Sequence, residues 1–424
     1  MPEAAGEPLR AARPPRQMTR LRQRLAELRG PATVPHPMDA RALAALAANP
    51  GCRRRALLDG AGVDKGALAS ALGAPANFGQ SQFAHQRGNS FEARVKADGG
   101  ADLVRLLHER LRDGSEAPGH GAVATPDLTA PGPQGRTART ALALREATEA
   151  GRWALLDHPM VSLDVAGSPA FLEPDAVVVH PDGSWTVVEI KSFPMVDGSA
   201  DPAKVGAAAR QSAVYTLALE RVASMIGRPP EDGDDTAARE GSVPPAEAAS
   251  VRARVRHHVL LVCPKNFSNL PTAEMVDVRK QLAVTRRQLD RLTRIEDIAA
   301  ALPEGTTFDL RLTDDGRTPT RPVEELTAAV EAVDAAYAPE CLSTCELAAH
   351  CRTRSRAAGR VEALGRGVRG ELGGLTTMDA VLTAAMERPA DDTPTGDPTV
   401  DALRRAAALR AEALASRPEA AACR

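Results

Sequence analysis

The feature that most restricts the fold is a change of hydrophobic period near residue 150. Upstream, apolar residues recur at helical spacing. Met18, Leu21, Leu25 and Leu28 predict a short amphipathic helix over 17–29, with a basic outer face, docked on the core. Helical patterning continues over 38–74, broken at Pro50-Gly51, then over 90–113 and 137–149. At Trp153 the period drops to two. Residues 153–165, 171–180 and 185–192 read as strands, the last two joined by the turn Pro181-Asp182-Gly183. A helix over 204–226 follows, then a buried strand over 257–263 (HHVLLVC), a long basic helix over 272–301 and another over 322–337. This order of helix, three strands, helix and strand predicts an α/β core with a helical domain built from both chain ends.

The 424 residues accommodate two or three units, and 43% hydrophobic with 25% charged residues suits a sizeable buried core. The pattern divides the chain into a flexible arm and short helix at 1–37, an N-terminal helical part at 38–89 and a core at 90–270. The core is interrupted by flexible loops at 114–137 and 227–250. A C-terminal helical part at 271–387 and a loosely ordered tail at 388–424 complete the chain. No apolar run approaches the ~20 residues that span a bilayer, and the N-terminus lacks a signal-peptide core. Membrane insertion and secretion are excluded as first readings, and a cytoplasmic protein is expected. The net charge of −2 provides no global field for nucleic acid, so any such binding must use local patches. Aromatic residues are only 3%, which argues against a base-stacking platform.

The chemistry concentrates in FLEPDAVVVHPDGSWTVVEIKSF, residues 171–193. Strand alternation puts Glu189 and Lys191 on one face and Ile190 on the other. The short turn pairs the two strands antiparallel, so Asp175 is expected beside Glu189 at the sheet's end. Two adjacent carboxylates repel unless a cation lies between them, and Mg²⁺ or Mn²⁺ takes such oxygen ligands. A metal there activates water and stabilises charge on a phosphate oxygen, and Lys191 orients the water or neutralises the transition state. On the following helix Gln211 and Tyr215 share one face.

Pro174-Asp175, Glu189-Ile190-Lys191 and Gln211-x3-Tyr215 together resemble the PD-(D/E)XK nuclease superfamily, in its RecB-like branch. The resemblance covers about residues 45–365 and implies a restriction-endonuclease-like α-β-β-β-α-β core. It implies that Asp175, Glu189 and the Ile190 backbone carbonyl hold Mg²⁺ or Mn²⁺, that Lys191 is catalytic, and that Gln211 and Tyr215 help hold DNA. That branch also places a metal-binding His or Glu on its first core helix. Glu92, in Gly-x-x-Phe-Glu, is the preferred match, and His85, ahead of the expected helix start, is the alternative.

Of six cysteines, Cys341, Cys345 and Cys351 crowd into eleven residues. A closed four-thiolate site needs one more, and Cys52 is the leading candidate, because Cys263 reads as strand core and Cys423 lies in the tail. One cysteine before the core and three after it resemble the iron–sulfur RecB-like nucleases, including CRISPR-associated exonucleases and the AddAB nuclease module. There a [4Fe–4S] cluster closes the two chain ends. Four thiolates suit zinc as well, the less favoured occupant here.

Arg53, Arg54 and Arg55 follow the first cluster cysteine, and Arg352, Arg354, Arg356 and Arg360 follow the last. Joined at the cluster, they predict a track for a phosphate backbone, extended by Arg279, Lys280, Arg286, Arg287, Arg291 and Arg294. No phosphate loop of the Gly-x4-Gly-Lys-[Ser/Thr] type occurs, so no ATPase motor is evident. The leading expectation is a metal-dependent DNA nuclease, an exonuclease on single strands or ends, in repair or defence, with a helicase or defence partner in trans. The alternatives are a catalytically silent, cluster-stapled DNA-binding subunit and a zinc-stapled interaction scaffold.

Overall fold

A computed structural model describes residues 16–75, 82–112, 114, 117–119, 121–166, 168–226, 254–313, 319–387 and 395–415. The arm at 1–15, the expected loop at 227–250 and Cys423 lie outside the described residues.

Among the described residues seven helices precede the strands: α1 (Arg16–Arg29), α2 (Ala40–Ala48), α3 (Arg53–Ala61), α4 (Lys65–Ala71), α5 (Gln82–Val95), α6 (Ala101–Leu111) and α7 (Gly132–Ala150). Five strands follow: β1 (Ala154–Asp157), β2 (Val161–Val165), β3 (Ser168–Leu172), β4 (Ala176–Val179) and β5 (Trp185–Ile190). Then come α8 (Pro202–Ile226), β6 (His258–Pro264) and β7 (Pro271–Asp277). The principal sheet is mixed, in the order β1-β4-β5-β6-β7. Only β5 and β6 run parallel, because α8 carries the chain across between them.

Strand alternation sends the two faces of this sheet into different cores. Val177 and Val179 of β4 and Trp185 and Val187 of β5 enter one core with α7 and α8. Ala176, Val178, Val188 and Ile190 enter the other, with Phe91 and Val95 of α5 and Leu103, Val104 and Leu107 of α6. The first core also takes in α1 to α4, through residues such as Leu28, Leu43 and Leu57. Leu25 and Leu28 are buried, so the first helix docks on the core as its spacing implies. The N-terminal helices thus share one core with the sheet.

Several boundaries differ from the sequence reading, each for a local reason. The first two expected strands are split by an inserted hairpin, β2 paired with β3, which stands outside the main sheet. Residues 271–277 form a strand where a helix was expected. Their β-branched Thr272 and Val276 pair along the free edge of β6, from Pro264↔Pro271 to His258↔Asp277. Helix α9 (Arg279–Leu289) begins only after that strand, and α10 (Ile295–Ala300) follows separately. The helix expected over 90–113 is two helices, because Gly99 and Gly100 take left-handed φ values of +70° and +78°. Helix α5 starts at Gln82, so His85 lies within it rather than before it. Helix α7 begins inside the expected loop 114–137, with a proline in its first turn. Downstream, α11 (Val323–Glu331) ends before residue 337, and α12 (Ala348–Ala357), α13 (Arg366–Glu371) and α14 (Met378–Met386) follow. The expected loose tail contains α15 (Pro398–Ala415), which packs on α14; Arg404 Nε donates to the Ala384 carbonyl at 3.2 Å. Among the described residues no helix is long and apolar enough to cross a membrane.

Gly100 joins α5 and α6 to the sheet at close range. A Cβ there would lie 1.9 Å from Leu155 Cδ2 on β1, on a backbone that disfavours L side chains. Gly100→Ala is expected to cost about 2–4 kcal/mol, read from the shift of the urea midpoint at unchanged slope. A shift below a quarter of that would mean Leu155 moves aside freely.

Candidate active site

The turn between β4 and β5 sets the register Ala176↔Val188, which brings Asp175 opposite Glu189 at the strand end. Asp175 Oδ2 accepts the Ile190 N–H at 2.6 Å, locking the two strands at this point. Glu189 faces the α8 side and is wholly buried. Its Oε1 faces the Lys191 ammonium in an ion pair, while Oε2 has no hydrogen-bond partner among the described residues. Burial lifts the Glu189 carboxyl to about 7, opposed by Lys191 and reinforced by Asp175. Burial also raises Asp175, again opposed by Lys191. For Lys191, burial works against the charge, and the two carboxylates outweigh it. Asp175, Glu189 and Lys191 therefore meet as expected.

A buried carboxylate oxygen without a partner, Glu189 Oε2, beside a second carboxylate suits a hard divalent cation. Among the described residues, no group of three or more His, Cys, Asp or Glu side chains is arranged to hold an ion as it stands. The fit therefore rests on the Asp175–Glu189 pair.

Glu92, on α5, approaches the same end of the sheet and couples electrostatically to Asp175. Its carboxyl is held down at about 2 by the hydrogen bond to His158, with Lys96 adding to the effect against burial. The same hydrogen bond raises His158. His158 occupies the turn after β1 with a left-handed φ of +45°. Its carbonyl accepts from Arg136 Nη2 at 3.0 Å, while Arg136 grips Glu173 through both carboxylate oxygens at 2.9 and 3.1 Å. Lys96 lies between Glu92 and Asp157, at 2.6 Å from each. Of these residues only Glu92 stood out in the sequence. Lys96 at i+4 from Glu92 was the available signal, while Asp157 and His158 join through the sheet. The side chain of His85, the alternative to Glu92, lies outside the described residues.

Gln211 and Tyr215 differ from their expected role. Gln211 Nε2 donates to the Tyr215 hydroxyl at 3.0 Å, and that hydroxyl donates to the Glu173 carbonyl at 3.2 Å. Tyr215 is buried, and burial raises its pKa. Its hydroxyl braces the backbone leading into Asp175 and is not turned outward to a DNA strand. Arg41, exposed on α2, lies close enough to Glu189 and Lys191 to affect both, and forms no ion pair among the described residues. Nothing in its local sequence marks it.

Cys52 caps α3, with Cys345 and Cys351 close to it, and Cys351 is also close to Cys341, on the 3₁₀ turn Pro339–Ser343. The chain ends are tied around them. Asn49 Nδ2 donates to the Ala336 carbonyl at 2.6 Å and to Cys341 Sγ at 3.3 Å. Arg54 donates to the Val333 carbonyl at 3.1 Å and to Cys351 Sγ at 3.2 Å. The five described cysteines are all free. Burial lifts Cys345 to about 12 and raises Cys351. Cys263 lies in the β6 core, as expected. N–H donors reach two of the sulfurs, but as they stand the thiols are not arranged to hold an ion among the described residues.

The arginine track is only partly realised. Arg54 and Arg55 are buried, not surface residues. Arg54 is spent on Val333 and Cys351, and Arg55 on Asp59 at 3.0 Å and the Thr344 carbonyl at 2.6 Å. The correction is physical: helix α3 packs into the junction, so its first turn points inward. Arg53 pairs with Asp334 at 3.5 Å and Arg354 with Glu331 at 2.5 Å. Arg352, Arg356 and Arg360 form no ion pair among the described residues. A cleft of about 580 Å³ opens beside Cys351, lined in part by Tyr337, Arg354 and Arg360. On α9 and beyond, Arg279 pairs with Asp277, Arg286 with Glu220 and Arg294 with Glu296, while Lys280, Arg287 and Arg291 form no ion pair among the described residues.

No protein-family model, no curated protein and no solved structure matches this chain.

Proposed function

We propose that the chain is a cytoplasmic, divalent-metal-dependent DNA nuclease with a restriction-endonuclease-like core, in the RecB-like manner of its sequence motifs. The observation that carries this reading is Glu189, fully buried with Oε1 on the Lys191 ammonium and Oε2 without a partner among the described residues, at the sheet end it shares with Asp175. Asp175, Glu189 and the Ile190 carbonyl would hold one Mg²⁺ or Mn²⁺. When bound, the ion lowers the pKa of a water molecule and offsets charge on the scissile phosphate.

The remaining work falls to the chain's own groups. The Lys191 ammonium orients the attacking water and neutralises the equatorial oxygens as charge builds. Arg41, at the rim, holds an adjacent phosphate. The Gln211–Tyr215 pair and the Arg136–Glu173 fork fix the backbone that presents Asp175. The four cysteines hold a [4Fe–4S] cluster that staples the chain ends, and Arg352, Arg356 and Arg360 bind backbone phosphates beside it without reading sequence. A helicase or defence-system partner supplies the strand.

The test is cleavage of end-labelled single-stranded DNA with Mn²⁺, for the wild type and Lys191→Ala. Divalent-dependent loss of label in the wild type alone supports the enzyme. Inert protein that still binds DNA, with an affinity that falls with salt, supports the silent subunit instead.

A further inference from the structure

The Lys96 ammonium sits inside a cage of four donors. Glu92 Oε1 and Asp157 Oδ1 are each 2.6 Å away, the Asp175 carbonyl oxygen is at 2.7 Å, and His158 Nε2 is at 3.2 Å. Three are oxygens, two of them from carboxylates, and one is an imidazole nitrogen. Divalent ions such as Mn²⁺ accept this set. The Lys96 side chain is only 11% exposed, while Asp157 and His158 form the solvent side of the cage at 56% and 43% exposed. His158 Nε2 also lies 3.0 Å from Glu92 Oε1, so these donors already face one another around the ammonium. Without it, Glu92 and Asp157 would repel across a partly buried gap, which is costly unless another cation enters.

The adjoining Asp175–Glu189 pair is balanced differently. There Lys191 faces Glu189 Oε1, and the buried Glu189 Oε2 has no hydrogen-bond partner among the described residues, which itself points to an ion. Each carboxylate set thus has one tethered ammonium, but only the Asp175–Glu189 set leaves a buried carboxylate oxygen unpartnered, while Lys96, one helical turn beyond Glu92 on α5, occupies the other.

We propose that Lys96 takes the place of a second divalent ion, so that the chain binds one ion, at Asp175 and Glu189, and supplies the second positive centre itself. This rests on the reading of Asp175 and Glu189 as a cation site. It makes Lys96 a positioning residue for Glu92, Asp157 and the Asp175 backbone, and it sets the number of ions bound.

The experiment is a Mn²⁺ titration of the full chain without DNA, with free Mn²⁺ followed by electron paramagnetic resonance. Wild type and Lys96→Arg are expected to bind one ion. Lys96→Met is expected to bind two, and adding Asp157→Asn to Lys96→Met should return the count to one. Lys96→Gln, which keeps a polar end, carries the same expectation as Lys96→Met should the latter not fold by circular dichroism. Two ions on the wild type, or one on a folded Lys96→Met or Lys96→Gln chain, would overturn the proposal while leaving the Asp175–Glu189 site standing. No Mn²⁺ bound to the wild type would remove both.

Discussion

Glu189→Ala is expected to lower Mn²⁺-dependent cleavage of single-stranded DNA by roughly 10³-fold or more, the scale at which loss of a charge-stabilising active-site group is felt. The cause is the orphaned carboxylate: without it Asp175 alone faces Lys191, and that end of the sheet is left with one carboxylate. A binding readout accompanies the kinetic one. At a hundredfold excess of Mn²⁺ over Kd, a protein that binds only when folded gains about 2.7 kcal/mol, and its unfolding midpoint rises. The wild type should show this rise and Glu189→Ala should not. Equal metal-induced shifts in the two proteins, or full activity in the variant, would remove Glu189 from the site. Substitution by glutamine separates charge from shape: Glu189→Gln keeps the volume and should be as inactive as alanine.

The second large effect is expected at the cysteine junction. Cys52 and Cys341 stand almost 290 residues apart in sequence, and a cross-link closing a loop of that length removes chain entropy worth roughly 5 kcal/mol from the unfolded state. Cys345→Ser is therefore expected to abolish the broad absorbance of an iron–sulfur cluster and to lower stability by several kcal/mol, with α2, α3 and α12 losing hydrogen-exchange protection first. These elements touch there through Asn49, Arg54 and Arg55, whose bonds to Ala336, Val333 and Thr344 bridge the two ends. A wild-type protein that purifies colourless with one zinc would keep the staple and replace its metal. A variant as stable as the wild type, with no metal in either, would leave the arginine and asparagine bridges as the whole of the junction.

Much of the site was legible because strand periodicity is a local property. The Pro181-Asp182-Gly183 turn and the alternation around Glu189 and Lys191 point to register and face from sequence spacing, and the strands do pair so that Asp175 lies beside Glu189. The approach of Cys345 and Cys351 to Cys52 is legible for another reason: cysteines are rare, and three within eleven residues direct attention to a partner elsewhere in the chain. What escaped were properties of neighbours distant in sequence. The strand β7 exists because β6 offers a free edge, and Thr272 to Val276 carry no pattern strong enough to announce that pairing. Arg54 and Arg55 read as surface charges until α3 is seen packed into the junction, where carbonyls and Asp59 absorb them.

The cage around Lys96 marks the same division. The sequence by itself determined the mixed α/β character and the Asp175, Glu189 and Lys191 grouping, because each depends on short-range periodicity. Only the tertiary structure decided that Tyr215 faces Glu173 rather than solvent, and that Asp157, His158 and Glu92 surround one ammonium. Those contacts join β1, α5 and α8 across the sheet, where distance is set by packing and not by position along the chain.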